Sequence, residues 1–155
     1  MRFIVAIDGT AGSGKGTIGR AISSHYNFKY LDTGLLYRAA AFNLRSFSCD
    51  LARISEKNIL QAIQSINKNI LELKELRENE IGEIASLIAT KPSVRAKLLV
   101  YQRDFANQEG GAVLDGRDIG TVVCPDADVK VFVDATESVR AQRRFNQLKE
   151  QNFET

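Results

Sequence analysis

The run Gly9-Thr10-Ala11-Gly12-Ser13-Gly14-Lys15-Gly16-Thr17 constrains the fold of this chain more than any other stretch. It follows Phe3-Ile4-Val5-Ala6-Ile7, an apolar run long enough for one buried strand, and precedes Ile18 to Ser24, which reads as the start of a helix. Strand, glycine loop, lysine and helix in that order make a phosphate cradle. The glycines let backbone N–H groups turn inward around an anion, the helix N-terminus adds partial positive charge, and Lys15 reaches the terminal phosphates. A triphosphate is the expected guest. The general pattern has Ser or Thr directly after the lysine, whereas here Gly16 stands before Thr17. A merely flexible turn would explain the glycines but neither the lysine nor the strand.

Further along, Phe28-Lys29-Tyr30-Leu31 reads as a second short strand after a turn at Asn27, and Leu35 to Phe42 as an alanine-rich helix with Thr33 as its N-cap. In an open parallel sheet, ligands gather beyond the carboxyl ends of the strands, so Asp32, Thr33, Tyr37 and Arg38 are expected to face the same cleft as the glycine loop. Arg38 suits an anion clamp. His25, the only histidine, reads as a solvated residue or one complementing a helix C-terminus. From Ser48 to Glu80 the chain turns polar, with Ile59, Leu60, Ile63 and Ile66 at helical spacing after a Ser55 cap. Ile70 to Leu73 fits either a helix or a short strand.

A helix over Ile81 to Ala89 and another opened by Pro92 carry Ser86 and Arg103 as polar members. Gly110-Gly111 is read as the stop of the second, before a short strand Ala112-Val113-Leu114 that runs into Asp115-Gly116-Arg117-Asp118. Beside a phosphate loop, a carboxylate at a strand end is placed to hold Mg²⁺, usually through water, and an arginine to neutralise transferring phosphate oxygens. Asp115 and Arg117 suit those roles. Val129 to Val133 makes a fourth strand, followed by a helix capped at Asp134 or Thr136 that carries Arg140, Arg143 and Arg144. Arg140 and Arg144 share a helical face and can both reach one ligand.

The totals exclude several classes. With 155 residues and 44% hydrophobic side chains, a disordered chain is ruled out and a single domain is expected. Its 21 basic and 19 acidic residues nearly cancel at +2, which argues against nucleic acid or a membrane as electrostatic partner. Cys49 and Cys124 form neither a metal-type nor a redox spacing, so reduced thiols are expected. The N-terminus goes straight into a strand without a leader, and no apolar run approaches the roughly 20 residues of a membrane span. A cytoplasmic location is the expectation.

These strings resemble the bacterial cytidylate kinases, nucleoside monophosphate kinases of the P-loop class. The likeness rests on Ala6-Ile7-Asp8-Gly9, Gly12 to Thr17, Leu31-Asp32-Thr33-Gly34-Leu35-Leu36-Tyr37-Arg38, Ala85-Ser86 and the run Leu114 to Val123. The Gly-Lys-Gly-Thr ending is the form that nucleoside monophosphate kinases use. The resemblance implies phosphoryl transfer from ATP to CMP or dCMP with Mg²⁺, on a three-layer α/β P-loop NTPase fold. It would have a parallel sheet in the order 2-3-1-4 and a small helical monophosphate-binding insert at about 48–90.

The resemblance further implies that Ser86, Arg103 and Asp118 recognise the pyrimidine, while Arg38 and Arg117 hold the monophosphate; Asp115 is also expected among the residues around CMP. ATP would lie on Gly9, Thr10, Ala11, Gly12, Ser13, Gly14, Lys15, Gly16 and Thr17, with Arg140 and Arg144. Lys15, Arg117 and Arg144 would supply positive charge to the transferring group, and Thr17 with Asp115 would hold Mg²⁺, partly through water. A kinase of UMP, AMP or dTMP and a non-catalytic nucleotide-binding module are the rival readings. The chain stops at Thr155, whereas the family continues with an arginine-rich lid, a fifth strand and a final helix. Weak nucleotide binding and slow turnover are therefore expected of these residues. Separately, a monomer is expected.

Overall fold

The computed structural model describes residues 1–47, 50 and 53–153, so Cys49 and the expected start of the insert at 48 lie outside the described residues. The chain packs as two compact units, one formed by Met1–Leu31 with Ala106–Thr155 and the other by Asp32–Phe105.

In the first unit, β1 (Arg2–Gly9) lies parallel between β3 (Gly110–Gly116) and β4 (Val129–Val133). Adding β2 (Lys29–Asp32) gives the sheet order β2-β3-β1-β4, as the sequence leads one to expect. A strand paired along both edges and buried on both faces must be apolar throughout, and Ile4, Val5, Ala6 and Ile7 all are. Alternation along the strand divides them. Val5 and Ile7 join Val113 in a core cluster against which Phe3, Ile22, Phe28, Tyr30, Val131 and Val133 pack. Each fully buried side chain of this size contributes roughly 1.5–3 kcal/mol. Helix α1 (Lys15–Tyr26) packs against β1 and β3 and ends on Asn27, whose left-handed backbone returns its N–H to Ser23 O.

The second unit is helical. Its central helix α2 (Thr33–Arg45) buries Leu36, Ala39, Ala40, Ala41 and Leu44 and packs against α3 (Glu56–Gln64) and α5 (Asn79–Ile88). Asn43 Nδ2 donates to Ala62 O at 2.8 Å, fixing α2 to α3. Short α4 (Lys68–Leu71), a 3₁₀ turn (Lys74–Arg77) and α6 (Pro92–Ala106), which opens on its proline, complete the unit.

Local details depart from the sequence reading. Asp32 rather than Thr33 caps α2: its carboxylate accepts from Leu35 N at 3.3 Å, while Thr33 is the first helical residue and is buried. Residues 70 and 71 are helical because Asn67 caps them, accepting from Ile70 N at 3.1 Å. Helix α6 has ended by Ala106, and Gly110-Gly111 open β3 instead of stopping the helix. That strand also runs two residues further than its apolar core, because Asp115 and Gly116 remain paired with Ile7 and Asp8. The last helix, α7 (Glu137–Phe153), starts after Thr136, whose hydroxyl accepts from Val139 N at 3.4 Å.

Gly111 has no room for a side chain, since a Cβ there would enter the Phe28 ring. That ring cannot easily retreat, being stacked on Tyr26 at 5.5 Å and tilted against Phe3 at 5.8 Å. Gly111→Ala is expected to lower stability by about 1–3 kcal/mol in chemical denaturation. Combining it with Phe28→Leu should cost less than the sum of the two single changes.

Candidate functional site

Strand β1 delivers the chain into the glycine loop at Gly9, and two residues of that loop turn it. Gly12 (φ 75°) and Gly14 (φ 95°) hold left-handed conformations that a side chain would strain, and they aim the chain into the first turn of α1. Between them Ser13 N donates to Thr10 O at 3.2 Å. The Ser13 hydroxyl is buried and has no hydrogen-bond partner among the described residues. No side chain caps α1 at Gly14, and no acidic residue lies in its first turn. A helix N-terminus with its N–H groups uncapped, a lysine as first residue and an unsatisfied buried hydroxyl together favour an oxyanion. Thr17, two residues into α1, is exposed.

The carboxyl ends of β1 and β3 bring the next groups beside this loop. Asp115 is 2% exposed and accepts a hydrogen bond on Oδ2 from the Tyr30 hydroxyl. The same oxygen lies 3.5 Å from where a Cβ on Gly19 of α1 would sit, so the carboxylate stands against the helix that follows the loop. Arg117 is exposed and Asp118 half-buried on the segment leaving β3. That segment enters a π-helical turn (Ile119–Val123), in which Val122 N and Val123 N donate to Asp118 O at 2.9 and 3.1 Å. Asp8, the last side chain of β1 before the glycine loop, accepts from Ile119 N on Oδ1 at 2.7 Å and from Gly120 N on Oδ2 at 2.8 Å.

Helix α7 approaches the loop closely: a Cβ on Gly12 would come within 3.2 Å of Arg140 O. The guanidinium that touches the loop is that of Arg143, donating from Nη1 to Gly12 O at 3.1 Å. Arg140 Nε instead donates to Ala135 O at 3.1 Å, and Arg144 Nη1 to Gln147 Oε1 at 3.1 Å. Sequence reasoning singled out Arg140 and Arg144 for their shared face and passed over Arg143. It also passed over Asp8 and Tyr30. The signal for Asp8 was a carboxylate ending an otherwise apolar strand directly before the glycine loop.

In the helical unit, Asp32 caps α2, Thr33 is buried, and Tyr37 is half-buried one turn later. Arg38 is fixed by carbonyls: its Nη1 donates to Leu76 O at 2.7 Å and to Glu78 O at 3.3 Å. Ser86 is exposed and returns its hydroxyl to Gly82 O at 3.0 Å, and Arg103 is exposed near the end of α6.

A parallel strand, a glycine loop turned by two left-handed residues, a lysine opening the next helix and a buried carboxylate on the adjacent strand define a P-loop nucleotide-binding protein. The profile of one family, cytidylate kinase, matches residues 5–155. Curated proteins named cytidylate kinase are similar over nearly the whole chain. One from Cereibacter sphaeroides is 50% identical over 149 residues, 96% of this chain and 68% of the relative. One from Bartonella bacilliformis is 49% identical over 148 residues, covering 94% and 67%, and one from a Methylobacterium species 51% over 146 residues, covering 94% and 69%. The chain belongs to the cytidylate kinase family. It spans about two thirds of the length of those relatives. Among solved structures, TT1252 from Thermus thermophilus is similar at 18% identity with a TM-score of 0.49, over 92% of this chain and 70% of that one.

Tyr30→Phe tests how far the Asp115 carboxylate depends on its phenolic donor. Losing a hydrogen bond to a buried charged group is expected to cost about 1–3 kcal/mol. For a chain of this size that lowers the midpoint of thermal unfolding by roughly 2–4 °C per kcal/mol, read by circular dichroism.

Proposed function

We propose that this chain transfers the γ-phosphoryl group of ATP to CMP or dCMP, giving ADP and CDP or dCDP. The observation that carries the reading is the glycine loop, with its buried unsatisfied Ser13 hydroxyl and uncapped α1 N-terminus leading into Lys15. Family membership narrows the acceptor to the cytidine monophosphates.

In this reading the backbone N–H groups of Gly12 to Thr17 and the Lys15 ammonium hold the β- and γ-phosphates. An oxygen of the CMP phosphate attacks the γ-phosphorus, a new P–O bond forms, and the bond to the departing ADP oxygen breaks. No side chain becomes covalently attached, so the protein contributes alignment and positive charge from Lys15, Arg117 and Arg144. Thr17 and Asp115 fit Mg²⁺, since one hydroxyl and one carboxylate leave most of the coordination to water and phosphate, as this ion prefers. A carboxylate has about four acceptor positions, so Asp115 can keep the Tyr30 hydroxyl and still accept from bound water. When bound, the ion neutralises charge on the β- and γ-phosphates.

Arg38 and Arg117 hold the monophosphate, with Asp32, Thr33, Tyr37 and Asp115 around it. Cytosine offers an amino donor and acceptors at N3 and O2, which one carboxylate, one hydroxyl and one guanidinium satisfy together. Asp118, Ser86 and Arg103 supply that set. Uracil inverts part of the pattern. Arg140 completes the ATP contacts, and the setting is a cytoplasmic monomer.

CMP-dependent formation of ADP, followed by a coupled assay, tests the reading. CMP and dCMP are expected to exceed UMP, AMP and dTMP by at least roughly 10²-fold in kcat/KM, the scale on which an inverted hydrogen-bond pattern discriminates. Lys15→Ala should lower turnover by about 10²–10³-fold, the loss typical of removing one donor aimed at developing charge. ATP binding with no ADP formed under any monophosphate would favour a non-catalytic module.

A further inference from the structure

We infer that Asp8 is a positioning residue for monophosphate recognition: its carboxylate fixes the segment that carries Arg117 and Asp118 to the strand that delivers the glycine loop. The inference rests on the kinase reading above, but nothing in that reading assigns Asp8 a role.

Asp8 occupies the only charged position between Phe3 and Gly9, and its neighbour Ile7 is fully buried. A carboxylate so placed must find donors near the sheet. It finds two backbone N–H groups, Ile119 at 2.7 Å and Gly120 at 2.8 Å, each on a different oxygen. Both bonds are charge-assisted, and together they fix the direction of the chain as well as its distance. What they fix are the two residues immediately after Asp118. Strand pairing holds the same segment from the other side, since Asp8 is opposite Gly116 in the β1–β3 register. Arg117 and Asp118 are therefore suspended between Gly116, paired through the backbone, and Ile119, held by the Asp8 side chain.

Gly120 makes this approach possible. A Cβ there would lie 3.3 Å from Asp8 Oδ2 and 3.2 Å from Lys130 Cδ, tighter than ordinary contact. Lys130 itself is engaged elsewhere, donating from Nζ to Pro125 O at 2.5 Å. Since Gly9 follows Asp8 directly, one residue of β1 anchors the start of the triphosphate loop through its backbone and the Arg117-Asp118 segment through its side chain. The first role does not need the carboxylate. Removing it should therefore affect monophosphate recognition and spare ATP binding.

The test uses Asp8→Asn and Gly120→Ala in the full chain. Asn keeps the shape but turns an amide donor toward one of the two N–H groups, and Gly120→Ala crowds the same contact from its other side without changing charge. Amide exchange at Ile119 and Gly120 should accelerate in both variants. CMP affinity by calorimetry should fall at least about tenfold in Asp8→Asn, as expected on losing a charge-assisted bond that holds the site, and by less in Gly120→Ala. ATP affinity measured without CMP should stay within about twofold, a separation that a merely destabilised fold would not produce. Unchanged exchange in a folded variant, or parallel loss of ATP and CMP affinity, would overturn the inference. If the unsubstituted chain binds ATP but no CMP, it is the kinase reading that fails, and amide exchange still decides whether Asp8 holds the segment.

Discussion

Everything proposed for ATP depends on one strand being unable to move. β1 is paired on both edges, and Ile4 to Ile7 are buried on both faces, so neither register nor tilt is adjustable. A one-residue slip would exchange the two sets of buried side chains and withdraw Gly9 from its turn. The loop that follows turns on Gly12 and Gly14, for which the left-handed region carries no strain, and it can leave the buried Ser13 hydroxyl unsatisfied because the strand behind it offsets that cost.

The second dependency is lateral. Parallel neighbours end where β1 ends, so β3 brings Asp115 level with Ile7, and Asp8 reaches across to the segment beyond. The Tyr30 hydroxyl, from the strand on the far side of β3, donates to the Asp115 carboxylate. Three strands thus contribute one polar group each to a narrow band at the carboxyl end of the sheet. A binding site there follows from topology before any ligand is considered.

Much of this was legible in the sequence, for physical reasons that can be named. The glycine loop declares itself because few other functions require that spacing after an apolar run, and the strand order follows once the family strings are seen. What escaped was whatever depends on a partner distant in sequence. Asp8 looks like an ordinary strand end until residues 119 and 120 fold onto it, and Arg143 is indistinguishable from its two neighbouring arginines until α7 is docked against Gly12. Smaller misses were local competitions. Asp32 displaced Thr33 as a cap because it reached the same N–H from one residue earlier, and cross-strand pairing extended β3 through Asp115, which propensity alone would put in a loop. The positions of Ser86, Arg103 and Arg38 as ligand contacts rest on the family strings and on the chemistry of cytosine.

Arg38 has a thermodynamic side. Its guanidinium is already held by the carbonyl oxygens of Leu76 and Glu78, in a pose that leaves no room for a Cβ on Gly82. Long cationic side chains normally surrender about 2 kcal/mol of rotational freedom when they are fixed. Here that loss is incurred during folding, because the two carbonyl oxygens set the direction of the guanidinium before anything binds.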